Sequence, residues 1–200
     1  KTSNTFIYTP TYKCTIYVAQ ESTKTLTFTG QTRIGNGSQN DPGIDNDGTV
    51  FPTIKDWGSG TMNIQDTTWI MAGPYAKHGI WMGGKRTVNL SGESTVYNNS
   101  TDGVCFYLST SGITLNFNTI GNFRTRGSYV IYSGKNSATL KITKGKFTSY
   151  NSNGYMFYIG GKILTNYKVA YESDSNDFRY MSSYDNPYTN LVVKGGYYLE

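Results

Sequence analysis

The chain has 200 residues and a net charge of +5, with 18 Tyr and 23 Gly against only 16% charged residues. That length allows one domain with a real core or a short array of repeats, and the Thr-, Ser- and Asn-rich composition fits a β-rich extracellular protein better than a cytosolic enzyme. No helical apolar period persists, no apolar run reaches the ~18 residues of a membrane span, and no signal peptide is present, which excludes a helical domain and a transmembrane segment. The pattern starts mid-stride at Lys1, as expected of a mature fragment cut from something longer, and Leu199-Glu200 reads as native or as a vector remnant. A pI near 9.0 points to acidic partners. The basic residues are scattered without a run, which favours an anionic polysaccharide or a cell surface over nucleic acid.

In chain order, residues 1–24 alternate through Phe6, Tyr8, Tyr12, Cys14, Ile16 and Val18. They read as an irregular first coil or as a strand lying along a repeat array and capping it. Thr25-Leu26-Thr27-Phe28 opens a recurring strand, and Thr61-Met62-Asn63-Ile64 opens the next, 36 residues later. The excess falls in a surface loop at 35–48, whose NGSQNDPGIDNDG is all turn formers. From Thr87 to Ile159 one unit is written three times, with opening strands on Val88, Leu115 and Leu140. Middle strands fall on Val96, Phe123 and Phe147, and closing strands on Phe106, Ile131 and Phe157. Such a repeat predicts an all-β fold, a right-handed parallel β-helix (β-solenoid) of about 25 residues and three short strands per coil.

The chain is read as a single domain, 1–200, with regular coils over 61–193. Its beat runs Met62, Val88, Leu115, Leu140, Leu164, Leu191, past a polar stretch from Val169 to Tyr188. Thr61, Thr87, Thr114 and Thr139 are expected to stack as one outward column, and Asn63, Asn89, Asn116 and Lys141 as the next. Gln65, Ser91, Asn118 and Thr143 fill the remaining outward places.

Catalysis on such a fold needs paired carboxylates or an acidic metal cluster with a base. The outward columns hold no acid. Asp66 and Glu93 lie at adjacent corners in poor mutual geometry, Glu172, Asp174 and Asp177 share a loop without aligned partners, and His78 is the single histidine. The chain therefore reads as non-enzymatic and cofactor-free. The one metal candidate is calcium at Asp41, Asp45 and Asp47, set against a plain turn-rich loop because the full EF-hand spacing is missing. Cys14 and Cys105 have no metal-ligand spacing and are either a disulfide or two separate thiols.

Recognition falls to the closing strands. If Ile80, Phe106, Ile131 and Phe157 point inward, alternation puts Trp81, Tyr107, Tyr132 and Tyr158 outward as a ladder on which sugar rings stack. Corner cations Lys77, Lys85, Arg86, Arg124 and Arg126 suit an acidic glycan. Cys105, Val130 and Met156 share the outward parity, so the competing expectation is a strand covered on both faces. Trp57 and Trp69, flanking the Gly58-Ser59-Gly60 corner, are coil-end packing or further platforms. Glycosylation sequons stand at Asn36, Asn89, Asn98 and Asn99.

GSGTMNIQDTTWIMAG (58–73), TVNLSGESTVYNN and GITLNFNTIGNF together resemble the pectate-lyase-like adhesive domains of Gram-positive surface proteins, over about Thr25 to Phe147. The resemblance lies in coil chemistry and carries no signature site. It implies a cell-wall-anchored, extracellular adhesin whose β-helix flank binds host or environmental glycans, as a monomeric part of a larger multidomain protein. A phage tail fibre or tailspike, trimeric, is the alternative reading. A polysaccharide lyase or hydrolase is the third.

Overall fold

A computed structural model describes residues 5–9, 14–36, 51–73, 76–133, 136–151, 155–159, 162–165, 179–182, 191–194 and 197–199. Every described element is a strand, and among the described residues no helix is long and apolar enough to cross a membrane. The chain begins with β1 (Thr5–Thr9) and β2 (Ile16–Val18), then β3 (Leu26–Phe28), β4 (Thr32–Asn36) and β5 (Ile54–Asp56). Two three-strand coils follow: β6 (Thr61–Ile64), β7 (Trp69–Ala72) and β8 (His78–Met82), then β9 (Thr87–Gly92), β10 (Thr95–Asn98) and β11 (Val104–Leu108). In the next two coils one long strand serves both opening and middle positions: β12 (Ile113–Thr125) with β13 (Tyr129–Tyr132), and β14 (Ala138–Ser149) with β15 (Tyr155–Tyr158). Last come β16 (Lys162–Thr165), β17 (Arg179–Ser182), β18 (Leu191–Lys194) and β19 (Tyr197–Leu199).

These strands stack in parallel as a β-solenoid. The opening ladder runs β3-β6-β9-β12-β14-β16, the middle ladder β1-β4-β7-β10-β12-β14 and the closing ladder β2-β5-β8-β11-β13-β15. The beat from Leu26 to Leu140 holds in register, as do Val96–Phe123–Phe147 and Phe106–Ile131–Phe157. β1 and β2 belong to a first coil, since β1 pairs with β4 and β2 with β5, both parallel. Two expectations fail at the far end. Ile163, one residue before Leu164, sits over Leu140, and Leu191–Lys194 pairs antiparallel with β17 and β15 instead of opening a further coil. Ile163 and Leu164 are both apolar, so hydrophobicity alone does not choose between them, and a one-residue slip exchanges the two faces.

Alternation turns one apolar residue per rung inward, and each such side chain contributes about 1.5–3 kcal/mol by leaving water. Met62, Val88, Leu115 and Leu140 are fully buried along one seam, as are Ile70, Val96, Phe123 and Phe147 along another. Toward the C-terminal coils the filling becomes aromatic: Phe117 contacts Phe106, Phe123 and Phe147 with ring centroids 5.0–5.7 Å apart. Outside, the Asn column is a hydrogen-bonded ladder. Asn116 Nδ2 donates to Asn89 Oδ1 at 2.7 Å, Asn89 to Asn63 at 2.9 Å, and Asn63 to the Thr27 hydroxyl at 3.3 Å. Thr143 does not continue the column of Ser91 and Asn118; a bulge places Lys144 above Asn118.

Where opening meets middle strand, the early coils turn through stacked left-handed residues: Gly30 (φ 71°), Asp66 (φ 56°) and Gly92 (φ 66°). A Cβ on Gly92 would lie 2.8 Å from Asp66 backbone, so glycine is required there for space as well as for φ.

Candidate ligand-binding face

The closing strands position the candidate site. Their register builds one outward column, Tyr17–Lys55–Trp81–Tyr107–Tyr132–Tyr158. Tyr17 is 60% exposed and Tyr158 36%, and the residues between are half-buried. Tyr107, Tyr132 and Tyr158 lie nearly parallel, with planes 15–16° apart and centroids at 5.3–5.5 Å. Coil spacing sets that distance and leaves no room for a ligand between rings. Both faces of Tyr132 are thereby covered, so this part of the column offers ring edges and phenol hydroxyls rather than open ring faces. Partial burial, with the neighbouring Tyr107 and Tyr158, pushes the Tyr132 phenol above its ordinary pKa and keeps it a neutral donor.

The lower end is built differently. Trp57 meets Trp81 edge-on at 4.5 Å, and the Lys55 ammonium stands 5.5 Å from the Trp81 ring and 5.9 Å from Trp57. Both indoles close over Gly83, where a Cβ would come within 2.5 Å of ring atoms of each. His78 stacks on Tyr107 at 4.4 Å. Burial first, and then the charge of Lys77, pushes its pKa down to about 4, so it is a neutral platform residue at physiological pH. Tyr129 flanks Tyr132 and Tyr158 at 5.0 and 5.7 Å.

The expected apolar backing of this column is absent where it can be seen. Cys105 and Val130 are fully buried members of the core, and the side chain of Met156 lies outside the described residues. In β8, β11 and β13 the strand starts at the seam with the middle strand, and two consecutive residues (Gly79–Ile80, Cys105–Phe106, Val130–Ile131) are buried before alternation resumes. The Cys105 thiol donates there to the Arg124 carbonyl at 3.1 Å, and burial raises its pKa. Cys14 and Cys105 are both free, so the disulfide alternative does not hold.

The corner cations separate. Lys77 and Lys85 are exposed at the two ends of the β8 rung, and Arg126 is exposed at the turn leading into β13. Arg124 belongs to the middle-strand face, its guanidinium 4.6 Å over the Tyr97 ring, and does not join the aromatic column. Arg86 is buried and cannot face a ligand. It forms an ion pair with Asp56 at 2.5 Å and donates to the carbonyls of Thr61 and Lys24 at 3.0 and 3.3 Å, tying three coils together. Desolvation raises the Asp56 carboxyl, against the pull of Arg86. Gly58 is a glycine because a Cβ would meet the Arg86 guanidinium at 2.0 Å.

Of the tryptophans, Trp57 belongs to the platform, whereas Trp69 lies on the middle-strand face under Arg33, 4.8 Å from its ring. Asp66 accepts hydrogen bonds from the Thr29 hydroxyl and the Gly30 amide, which hold its carboxyl below the usual range, and Glu93 is exposed one corner above. Among the described residues no three of His, Cys, Asp and Glu gather. Asp41, Asp45, Asp47, Glu172, Asp174 and Asp177 lie outside the described residues. Of the sequons, Asn98 is fully buried, donating to the carbonyls of Ala76 and Val104, and Asn89 is locked in the ladder. Asn99 is half-buried and accepts from the Tyr97 hydroxyl, while the side chain of Asn36 is not described.

Sequence reasoning missed Tyr17 and Lys55 in the column and Tyr129 and His78 beside it. The loop before β5 hid Ile54 from the beat. Lining Ile54 up with Ile80 would have put Lys55 under Trp81. No family model, curated protein or solved structure matches the chain.

Proposed function

We propose that the chain is a non-catalytic binding module of a bacterial surface adhesin, holding a glycan along the closing-strand face. The observation that carries the reading is the continuous Tyr17–Tyr158 column, half-exposed along its length and with a lysine set among its rings. A buried-core explanation accounts for none of these side chains, since the core is already filled from the other face. In this arrangement the sugar chain runs parallel to the solenoid axis. Ring edges and phenol hydroxyls meet its hydroxyls coil by coil, and Lys55, Lys77 and Lys85 favour an acidic sugar at the lower end. Each rung adds a modest contact, so affinity grows with glycan length.

A glycan array with graded oligosaccharide lengths tests this. Expected are binding that strengthens with length, a tenfold or greater loss in Trp81→Ala, and a smaller loss in Tyr132→Phe, which removes one hydroxyl and keeps the ring. Wild-type binding by both variants would remove the column from the account.

A further inference from the structure

Four tyrosines crowd the upper end of the closing face. Tyr107, Tyr132 and Tyr158 stack one per coil, and Tyr129 leans on Tyr132 with ring centroids 5.0 Å apart and on Tyr158 at 5.7 Å. Tyr158 is 36% exposed and the other three are half-buried, so the cluster is open to reagents in solvent. Stacking alone asks only for rings, and phenylalanine, which this chain uses freely in its core, serves it as well. What the phenols add is one-electron chemistry. A tyrosine that loses an electron and a proton becomes a phenoxyl radical, whose unpaired electron extends to the ring carbons beside the oxygen.

The contacts within the cluster differ in what they allow. Tyr107–Tyr132 and Tyr132–Tyr158 lie 15–16° from parallel. A single bond between two rings lies in the plane of each, so rings stacked face to face must leave the stack to form one. Tyr129 is inclined by 47° to Tyr158 and by 50° to Tyr132, and an edge of one ring is turned toward the other. Of these two tilted pairs, Tyr129–Tyr158 spans neighbouring coils, from β13 to β15. Tyr132 is covered on both faces by its stacking partners, whereas Tyr158 ends the described stack and is its most exposed ring.

We propose that Tyr129 and Tyr158 are a site of oxidative cross-linking, joined as dityrosine by hydrogen peroxide and a haem peroxidase, which staples β13 to β15. Each phenol gives up one electron and one proton, and the peroxidase passes them to hydrogen peroxide, which is reduced to two waters. The two radicals pair to form one C–C bond between Cε atoms. The hydrogens on those two carbons move to the oxygens and restore both phenols, so the product is lighter by two hydrogens. Because the rings are already in contact, coupling within the chain outruns coupling between chains in dilute solution. The link closes a loop over residues 129–158 and restrains the unfolded chain as a disulfide does. It stands whether or not the closing face binds a glycan.

The test treats dilute protein, with no glycan present, with a haem peroxidase and limiting hydrogen peroxide. Dityrosine fluorescence, intact mass and the identity of the linked peptides are read on the monomer fraction. Expected is a monomer lighter by two hydrogens, with one link between the peptides of Tyr129 and Tyr158. Oxidation of exposed Met71 adds an oxygen instead and is told apart by mass. Tyr129→Phe and Tyr158→Phe keep the rings and should each lower the dityrosine of the monomer at least about tenfold. Tyr107→Phe should leave it unchanged, as should Tyr17→Phe, which removes a more exposed phenol (60%) at the other end of the column. Unchanged melting of the untreated variants would show that the fold is intact, and the linked wild type should unfold at higher urea than the unlinked chain. A link at any other pair of tyrosines, dityrosine only between chains, a wild-type yield in Tyr158→Phe or an unraised urea midpoint would overturn the proposal.

Discussion

The lower and upper coils solve the same problem with different chemistry. Below, three separate strands per coil turn through left-handed corners at Gly30, Asp66 and Gly92, the charges balance, and an Asp56–Arg86 ion pair sits inside. Above, β12 and β14 run through that corner as single strands, the core is packed with phenylalanines, and residues 103–171 include no Asp or Glu. The positions held by Asp56 and Arg86 are taken in the coil above by Met82 or Leu108 and by Ile113. A parallel solenoid needs only matching rungs. What fills a rung can change from coil to coil if the neighbours change with it.

That contrast can be broken most sharply at the ion pair. Arg86→Met leaves the Asp56 carboxylate buried without its counter-charge and should cost about 3–5 kcal/mol in urea unfolding. The double variant Asp56→Met/Arg86→Ile, which writes the upper-coil solution into the lower coils, should recover most of that loss. A double variant as unstable as the single would show that the pair does more than fill the space.

The platform adds a pH dependence on the lower side of the divide. An unfolded chain protonates His78 near pH 6.5, whereas the folded imidazole resists down to about 4. The unfolded state therefore binds more protons in that window, and stability is lost as pH falls through it, by on the order of 3 kcal/mol. His78→Phe keeps the stack on Tyr107 and should flatten the curve between pH 6.5 and 4; an unchanged curve would place the titration elsewhere. The smallest effect is at the corner. Asp66→Ala loses two exposed hydrogen bonds and keeps the left-handed backbone, for a small loss of stability in urea unfolding. Asp66→Gly should be about 1 kcal/mol milder, because glycine relaxes the backbone. Equal losses in the two would mean that φ costs nothing there.

Much of the solenoid was legible from Thr87 to Ile159, because three copies of one apolar beat leave a single register that buries them all. Legibility stopped where that logic is degenerate. Ile163 and Leu164 are equally apolar, Cys105 and Phe106 are neighbours that both turn inward at a seam, and the loop before β5 hides Lys55. The Asp56–Arg86 pair was invisible for another reason: its partners stand 30 residues apart and neither fits the apolar pattern. The Tyr column was foreseen as a ladder, but its meaning changed once rung spacing showed the rings covering one another's faces.

The central claim is that the closing-strand face meets the glycan. Its three tryptophans allow a direct test, since Trp57 and Trp81 lie on that face and Trp69 lies on the middle-strand face under Arg33. The indole N–H resonances, assigned by single Trp→Phe variants, can be followed while a bound oligosaccharide is titrated in. Shifts of Trp57 and Trp81 with Trp69 unmoved are predicted; a shift confined to Trp69 would contradict the account.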